Sequence, residues 1–253
     1  MDNPAQRGKA AAKKMDRGRK WPIAAFAVLW SLWPSPAAHA QNTLTAYLPE
    51  IDSDLRLGSN VGLIFQGKVY LEDGNLDHAQ VGPSLQFNLR PFEMLKKITV
   101  FDLDATKCMP IVFTIGYRYL PSSEQPAIQR LQPIILLHIP FPGRTLLSDR
   151  NRADLDWAKG AMHWTYRNRI TAERRLSVGS YHPGPYVAAE FAYQQQYAKW
   201  GATRLFAGCL FPVNKHMQLD GYYEHLNNTD SHPNRQANAI GTVLTFYFSG
   251  RRG

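Results

Sequence analysis

Past residue 40 this sequence holds no apolar run of the roughly 20 residues that a membrane-spanning helix needs, and its mean hydropathy is only −0.35. A transmembrane β-barrel is still allowed, because its strands alternate apolar and polar residues and the average conceals them. Cysteine is almost missing: Cys108 and Cys209 are too few for a disulfide framework, and no Cys–His spacing of a zinc site surrounds them. They read as two inert thiols, with pairing in an oxidising compartment left open. A G-x-S-x-G nucleophile elbow is also lacking, and His163, His182 and His216 are scattered with no Ser or Asp in a recognisable nucleophile context. No cofactor and no metal are expected.

What is present begins with charge of one sign. Residues 1–40 hold seven Lys/Arg against two Asp/Glu, and their basic stretch runs into the apolar segment 21–33 and then Pro-Ser-Pro-Ala-Ala-His-Ala. Basic region, short apolar core and small residues at Ala38 and Ala40 make the pattern of a secretory signal peptide. Cleavage is expected after Ala40, giving 1–40 as leader and 41–253 as the mature domain, with Met15 the expected start of translation. The leader carries +5 of the formal +9, so the mature chain is only about +4. The pI of 9.6 is largely the leader's, and the nucleic-acid partner it invites is set aside.

Alternation of period two is the main signal. In 60–72, Val61, Leu63, Phe65, Val69 and Leu71 oppose Gln66, Lys68, Tyr70 and Glu72. In 79–90, Val81, Leu85, Phe87 and Leu89 oppose Gln80, Ser84, Gln86 and Asn88. The pattern recurs in 111–120, 130–139, 146–157, 163–175, 186–194, 203–211, 217–226 and 239–248. Runs of about ten residues match tilted membrane strands, whereas soluble sandwiches use strands of about five or six. The expected fold is all-β, a single closed antiparallel up-and-down transmembrane barrel. Residues 44–51 and 98–103 are further candidate strands. Even parity then allows ten or twelve strands, and twelve is favoured because it places both chain ends in the periplasm. Connections at 140–144 and 212–216 are short, while 120–128 and 227–238 are longer and polar, the asymmetry expected of periplasmic turns and outer loops. Tyr117, Tyr119, Trp164, Tyr222, Tyr223 and Phe248 near strand ends read as interfacial aromatic girdles.

Residues two apart on a strand share a face. Arg118, Arg150, Arg152, Arg167, Arg169, Arg175 and Arg204 are therefore expected to point into the lumen, and Asp154, Asp156, Glu173, Glu190, Asp220 and Glu224 to meet them there. Confined charges must be paired. Two arrangements stay open: a lumen plugged by ion pairs, and a polar channel with a basic wall on 146–157 and 163–175 and an acidic wall beyond.

Six short motifs stand in order at strand spacing: Gly-Tyr-Arg-Tyr at 116–119, Asp-Arg-Asn-Arg at 149–152, Tyr-Arg-Asn-Arg at 166–169, Pro-Tyr-Val-Ala-Ala-Glu at 185–190, Thr-Arg-Leu-Phe-Ala-Gly at 203–208 and Leu-Asp-Gly-Tyr-Tyr-Glu at 219–224. Together they make the mature chain resemble the domain-of-unknown-function 2490 family of predicted outer-membrane barrels. The resemblance implies topology and outer-membrane location, and carries no catalytic or binding residues with it. The expected function is a structural or narrow charged-lumen, porin-like barrel, with outer-membrane lipid and the barrel-assembly machinery as partners and any solute or protein partner unidentified. The competing classes are an interfacial lipid or peptide hydrolase, which needs a Ser-His-acid set at the membrane surface, and a scaffold barrel engaging a partner through 227–238.

Overall fold

The backbone adopts the period that the sequence carries. The structure is a computed structural model that describes residues 43–89, 103–122, 126–229 and 234–249; the expected leader with its expected cleavage site and candidate strand residues 98–102 lie outside these. Eleven strands follow one another: β1 (Thr43–Arg56), β2 (Val61–Glu72), β3 (Asn75–Leu89), β4 (Ile111–Leu120), β5 (Ile128–Phe141), β6 (Thr145–Ala158), β7 (Ala161–Arg174), β8 (Gly184–Gln194), β9 (Lys199–Asn214), β10 (Met217–Asn228) and β11 (Arg235–Ser249). Each pairs with its sequence neighbours, and β1 closes on β11, so every strand has partners on both sides. Closure removes the unpaired edges that an open sheet would expose.

The strand count corrects the expectation of an even, wholly antiparallel barrel. Eleven up-and-down strands leave the first and last running the same way, and β1 pairs with β11 in parallel over its full length, from Thr43 opposite Gln236 to Arg56 opposite Ser249. The sheet is therefore mixed. β1 starts at one rim, the first rim, and β11 ends at the other, the second rim, so the two ends of the barrel strands do not share a side. The four connections named from sequence divide as expected: the short ones between β5 and β6 and between β9 and β10 join strand ends at the second rim, and the longer ones between β4 and β5 and between β10 and β11 join ends at the first. The separation is not general, because the two-residue turns 73–74 and 159–160 lie at the first rim and the longer 175–183 at the second.

Local chemistry explains the hairpins. Asp73 and Gly74 have φ of 48° and 81°, and Lys159 and Gly160 have φ of 50° and 78°. Positive φ at both central residues is the two-residue turn whose twist matches the strands it joins. β3 accordingly starts at Asn75 directly after the turn.

Side chains sort by alternation into two faces of opposite character. Phe65, Val81, Ile115, Ile135, Phe191 and Ile240 are exposed on the outside, while Gln80, Arg118, Gln132, Asp154, Glu190 and Glu224 are buried inside. Phe191 is 43% exposed and its neighbour Glu190 only 2%. Tyr222, expected in a girdle, instead faces the lumen, where it lies over Gly241 on β11. Tyr186 lies in the same way over Gly208 on β9. A Cβ at either glycine would overlap the ring, so two cross-strand glycines make the room in which the lumenal tyrosines lie.

Candidate functional site

Strand register builds the site. Lumenal positions form a row across four strands, Arg150 opposite Arg169, Arg169 opposite Glu190, and Glu190 opposite Arg204. One step along, Arg152 stands opposite Arg167, and Arg167 opposite Ala192. Small lumenal residues, Ala188, Ala192 and Ala202, are buried there and leave the volume that the arginine side chains fill.

Two acids act as hubs. Glu190 accepts from Arg150 at 3.0 Å, Arg169 at 2.9 Å and Arg204 at 2.8 Å, with Arg167 at 3.5 Å. Asp154, 0% exposed, takes Arg167 at 2.8 Å, Arg152 at 3.0 Å and the amide of Gln132 at 2.9 Å. Arg130 forks onto Asp156 at 2.5 and 2.7 Å, and Arg204 continues to Glu224 at 3.0 Å. Charge-assisted bonds of this kind are about twice as strong as neutral ones. They are necessary here, since cross-strand like charges repel and an unpaired buried charge costs several kcal/mol, on the order of the penalty per desolvated ion.

Not every expected lumen residue joins this cluster. Arg118 finds neutral acceptors: its guanidinium donates to Gln66 Oε1 at 2.9 Å, and to Ser84 Oγ and the carbonyls of Pro83 and Tyr117 at 2.8 Å. Proline has no N–H for the ladder, and no β4 partner stands opposite Gly82 or Pro83 in the register; Arg118 caps the carbonyls at that interruption. Asp220 accepts the Tyr186 hydroxyl at 3.0 Å. Glu173 binds Lys107 at 2.6 Å. Arg175, one residue past β7, bonds through its N–H to the Arg144 carbonyl at the second rim.

Several members of the site were not singled out from sequence. Arg130 is one. Lys68, which pairs with Glu50 at 3.2 Å and donates to the Tyr222 hydroxyl at 3.4 Å, is another. Glu50, Asp52 and Asp54 share the lumenal face of β1 at a spacing of two, the signal that would have revealed an acidic strip opposite the arginines.

These walls enclose a cavity of about 610 Å³. Glu72, His78, Asn228 and Arg235 lie on its side at the first rim, and Arg150, Arg169, Arg204 and Tyr186 line it deeper in. The second rim holds a separate space of about 160 Å³ between Asp54, Gln86 and Thr106 that shares no lining residue with the first. A single 3-10 turn, Ala105–Cys108, folds there with its N-terminus capped by Asp104. Thr106 and Met109 are buried, and His138 Nδ1 bonds the Met109 carbonyl at 2.8 Å. Lys107 reaches from this turn to Glu173 on β7, three strands away from β4.

The three histidines weighed for a hydrolase are not gathered at one place: His163 lies near the start of β7 at the first rim, and His182 and His216 lie at the second. Cys108 and Cys209 are both free. Among the described residues no group of three His, Cys, Asp or Glu side chains is placed to hold a metal ion.

Residues 110–237, from the start of β4 into β11, match the family described as protein of unknown function, DUF2490. The chain belongs to the DUF2490 family. The match spans the strands that carry all six arginines of the cluster and the acids between them, so the DUF2490 match includes the charged wall of the lumen. β1 to β3, with Glu50 and Lys68, precede it. No curated protein matches this chain, and no solved structure matches it.

Proposed function

We propose that the mature DUF2490 barrel sits in the outer membrane of a Gram-negative-type envelope and that its lumen is a charged pocket open at one rim, not a continuous pore. The observation that carries the first half is the inversion of burial at adjacent residues. Charged Glu190 is enclosed while Phe191 beside it faces outward, and the same holds for Thr114 with Ile115 and for Gln80 with Val81. Water drives apolar side chains inward in soluble domains, whereas an acyl-chain solvent favours them outside and demands a closed sheet. Export through the leader, with Gln41 as the mature N-terminus, and insertion by the barrel-assembly machinery belong to the same reading.

The pocket half rests on the interrupted lumen. Eleven strands enclose far less space than the 16 to 18 of porins, six arginine side chains project into it, and Leu103, Ala105 and Thr106 border the separate space at the second rim. Mature protein refolded into vesicles should resist carbonate extraction and show heat-modifiable migration. In planar bilayers it should give no steady conductance. Extraction by carbonate removes the membrane reading; stable ohmic steps remove the pocket reading and leave a channel.

A further inference from the structure

The arginine cluster holds more donors than its acids can use. Arg130, Arg150, Arg152, Arg167, Arg169 and Arg204 share four carboxylates, Asp154, Asp156, Glu190 and Glu224. The surplus is not spread evenly. Arg150 gives only Nη2 to Glu190, and Arg169 only Nε, so among the described residues the rest of each guanidinium fork has no acceptor. Their side chains keep 28% and 25% exposure although they lie inside the barrel, and that exposure faces the 610 Å³ cavity. Arg169 is also held in place from beneath, stacked over the Phe206 ring at 3.9 Å. Glu190, anchored by four arginines, fixes the near edge of both forks. The far edges are left as planar pairs of N–H groups, the geometry that takes a phosphate or carboxylate through two bonds.

We propose that this cavity is a binding site for a small solute bearing an oxyanion, a phosphate or a comparable group, seated on Arg150 and Arg169 with Arg204 beside them. The assignment deepens the pocket reading above and rests on it. The carboxylates of Glu50 and Asp52 on β1 and of Asp220 on β10, which line the same cavity, limit the site to an anionic group carried at one end of the solute, because a second negative end would meet them. Tyr186 and Tyr222 supply hydroxyls for the neutral remainder. The volume suits a monosaccharide-sized body and lies within the usual range of small-molecule pockets, roughly 300 to 1,000 Å³.

The test uses the refolded mature barrel in detergent, with circular dichroism and heat-modifiable migration recording that it is folded. Calorimetric titrations with inorganic phosphate, glycerol 3-phosphate and short-chain phosphatidic acid are compared with glycerol. Saturable binding of the two soluble phosphates and none of glycerol is expected. Arg150→Gln and Arg169→Gln should each weaken binding about tenfold or more, as loss of one charge-assisted contact does. Arg150→Lys should weaken it less, and Lys159→Gln in the first-rim turn should leave it unchanged. A folded wild-type barrel that binds no phosphate overturns the proposal whatever the variants do, and so does equal binding by Arg150→Gln. Binding of phosphatidic acid alone puts the ligand in the lipid phase and overturns the soluble-solute assignment. Detergent titration is independent of conductance, so failure here leaves the membrane and pocket reading to its own test.

Discussion

Arg150 on β6 and Arg169 on β7 stand directly opposite one another and both bond the same oxygen of Glu190, Oε2, at 3.0 and 2.9 Å. Two guanidinium groups on neighbouring lumenal positions repel. A single carboxylate placed one strand further on turns that repulsion into a shared hydrogen-bond geometry, while its other oxygen serves Arg204 and Arg167.

Glu190 is therefore expected to matter more than any one of its partners. Glu190→Ala leaves four arginines around an empty position, and breaking a buried ion pair from one side costs roughly 3 to 5 kcal/mol. The lower end applies here, since Arg150 and Arg169 border the cavity. Glu190→Gln retains an acceptor and should cost less. Urea unfolding in micelles reads both, and an unchanged midpoint for Glu190→Ala would mean that the cluster does not stabilise the barrel.

The lumenal tyrosines give a packing test. Gly208→Val pushes a side chain into the Tyr186 ring and away from Asp220, an overpacking expected to cost about 1 to 3 kcal/mol. Combining it with Tyr186→Ala should recover part of the loss, a coupling that independent sites lack. Gly221 on the outer face has open space where its Cβ would be, so Gly221→Val should be tolerated. Equal effects at Gly208 and Gly221 would contradict the placement of Tyr186.

Much of this was legible in the sequence, and the exceptions have physical reasons. Phe191 and Glu190 sort by period two, which is local, so ten of the strands and the arginine wall could be read directly. Asp73-Gly74 is a hairpin signal of equal clarity that would have carried β3 back to Asn75. The parallel pairing of β1 with β11 has no local signature, because it joins residues nearly 200 positions apart. Pro49 and the polar run after it also obscured β1 and its acidic face. Arg118 looked like a lumen charge in need of an acid; the interruption at Pro83, which offers carbonyls instead, appears only when β3 and β4 are set side by side.

The outer face is tested by charge. Phe191→Arg should destabilise the barrel in phospholipid vesicles by roughly 2 to 4 kcal/mol if the site lies near the bilayer midplane. Gln194→Arg, on the lumenal face at the end of the same strand, should cost much less. Vesicles matter here, because detergent adapts to a charge more readily than a bilayer does. Equal tolerance of Arg at the two positions would mean that the outside is not in contact with acyl chains.

The seam between β1 and β11 offers the most direct check on strand number. In parallel register Ile51 lies opposite Leu244, and neighbouring strands stand about 5 Å apart, inside the Cα separation of roughly 4.4 to 6.8 Å that a disulfide spans. In a background carrying Cys108→Ser and Cys209→Ser, the pair Ile51→Cys and Leu244→Cys should cross-link on mild oxidation, as peptide mapping without reductant would record. Ile51→Cys with Ile240→Cys should not, since Ile240 lies four positions along the strand, opposite Tyr47. An even-stranded barrel would run β1 antiparallel to its closing partner, and moving from Ile51 to Tyr47 would then shift the partner in the opposite direction along β11. A second pair, Tyr47→Cys with Ile240→Cys, separates the two cases: cross-linking in both matched pairs requires parallel closure and so an odd number of strands, and cross-linking in only one of them excludes it.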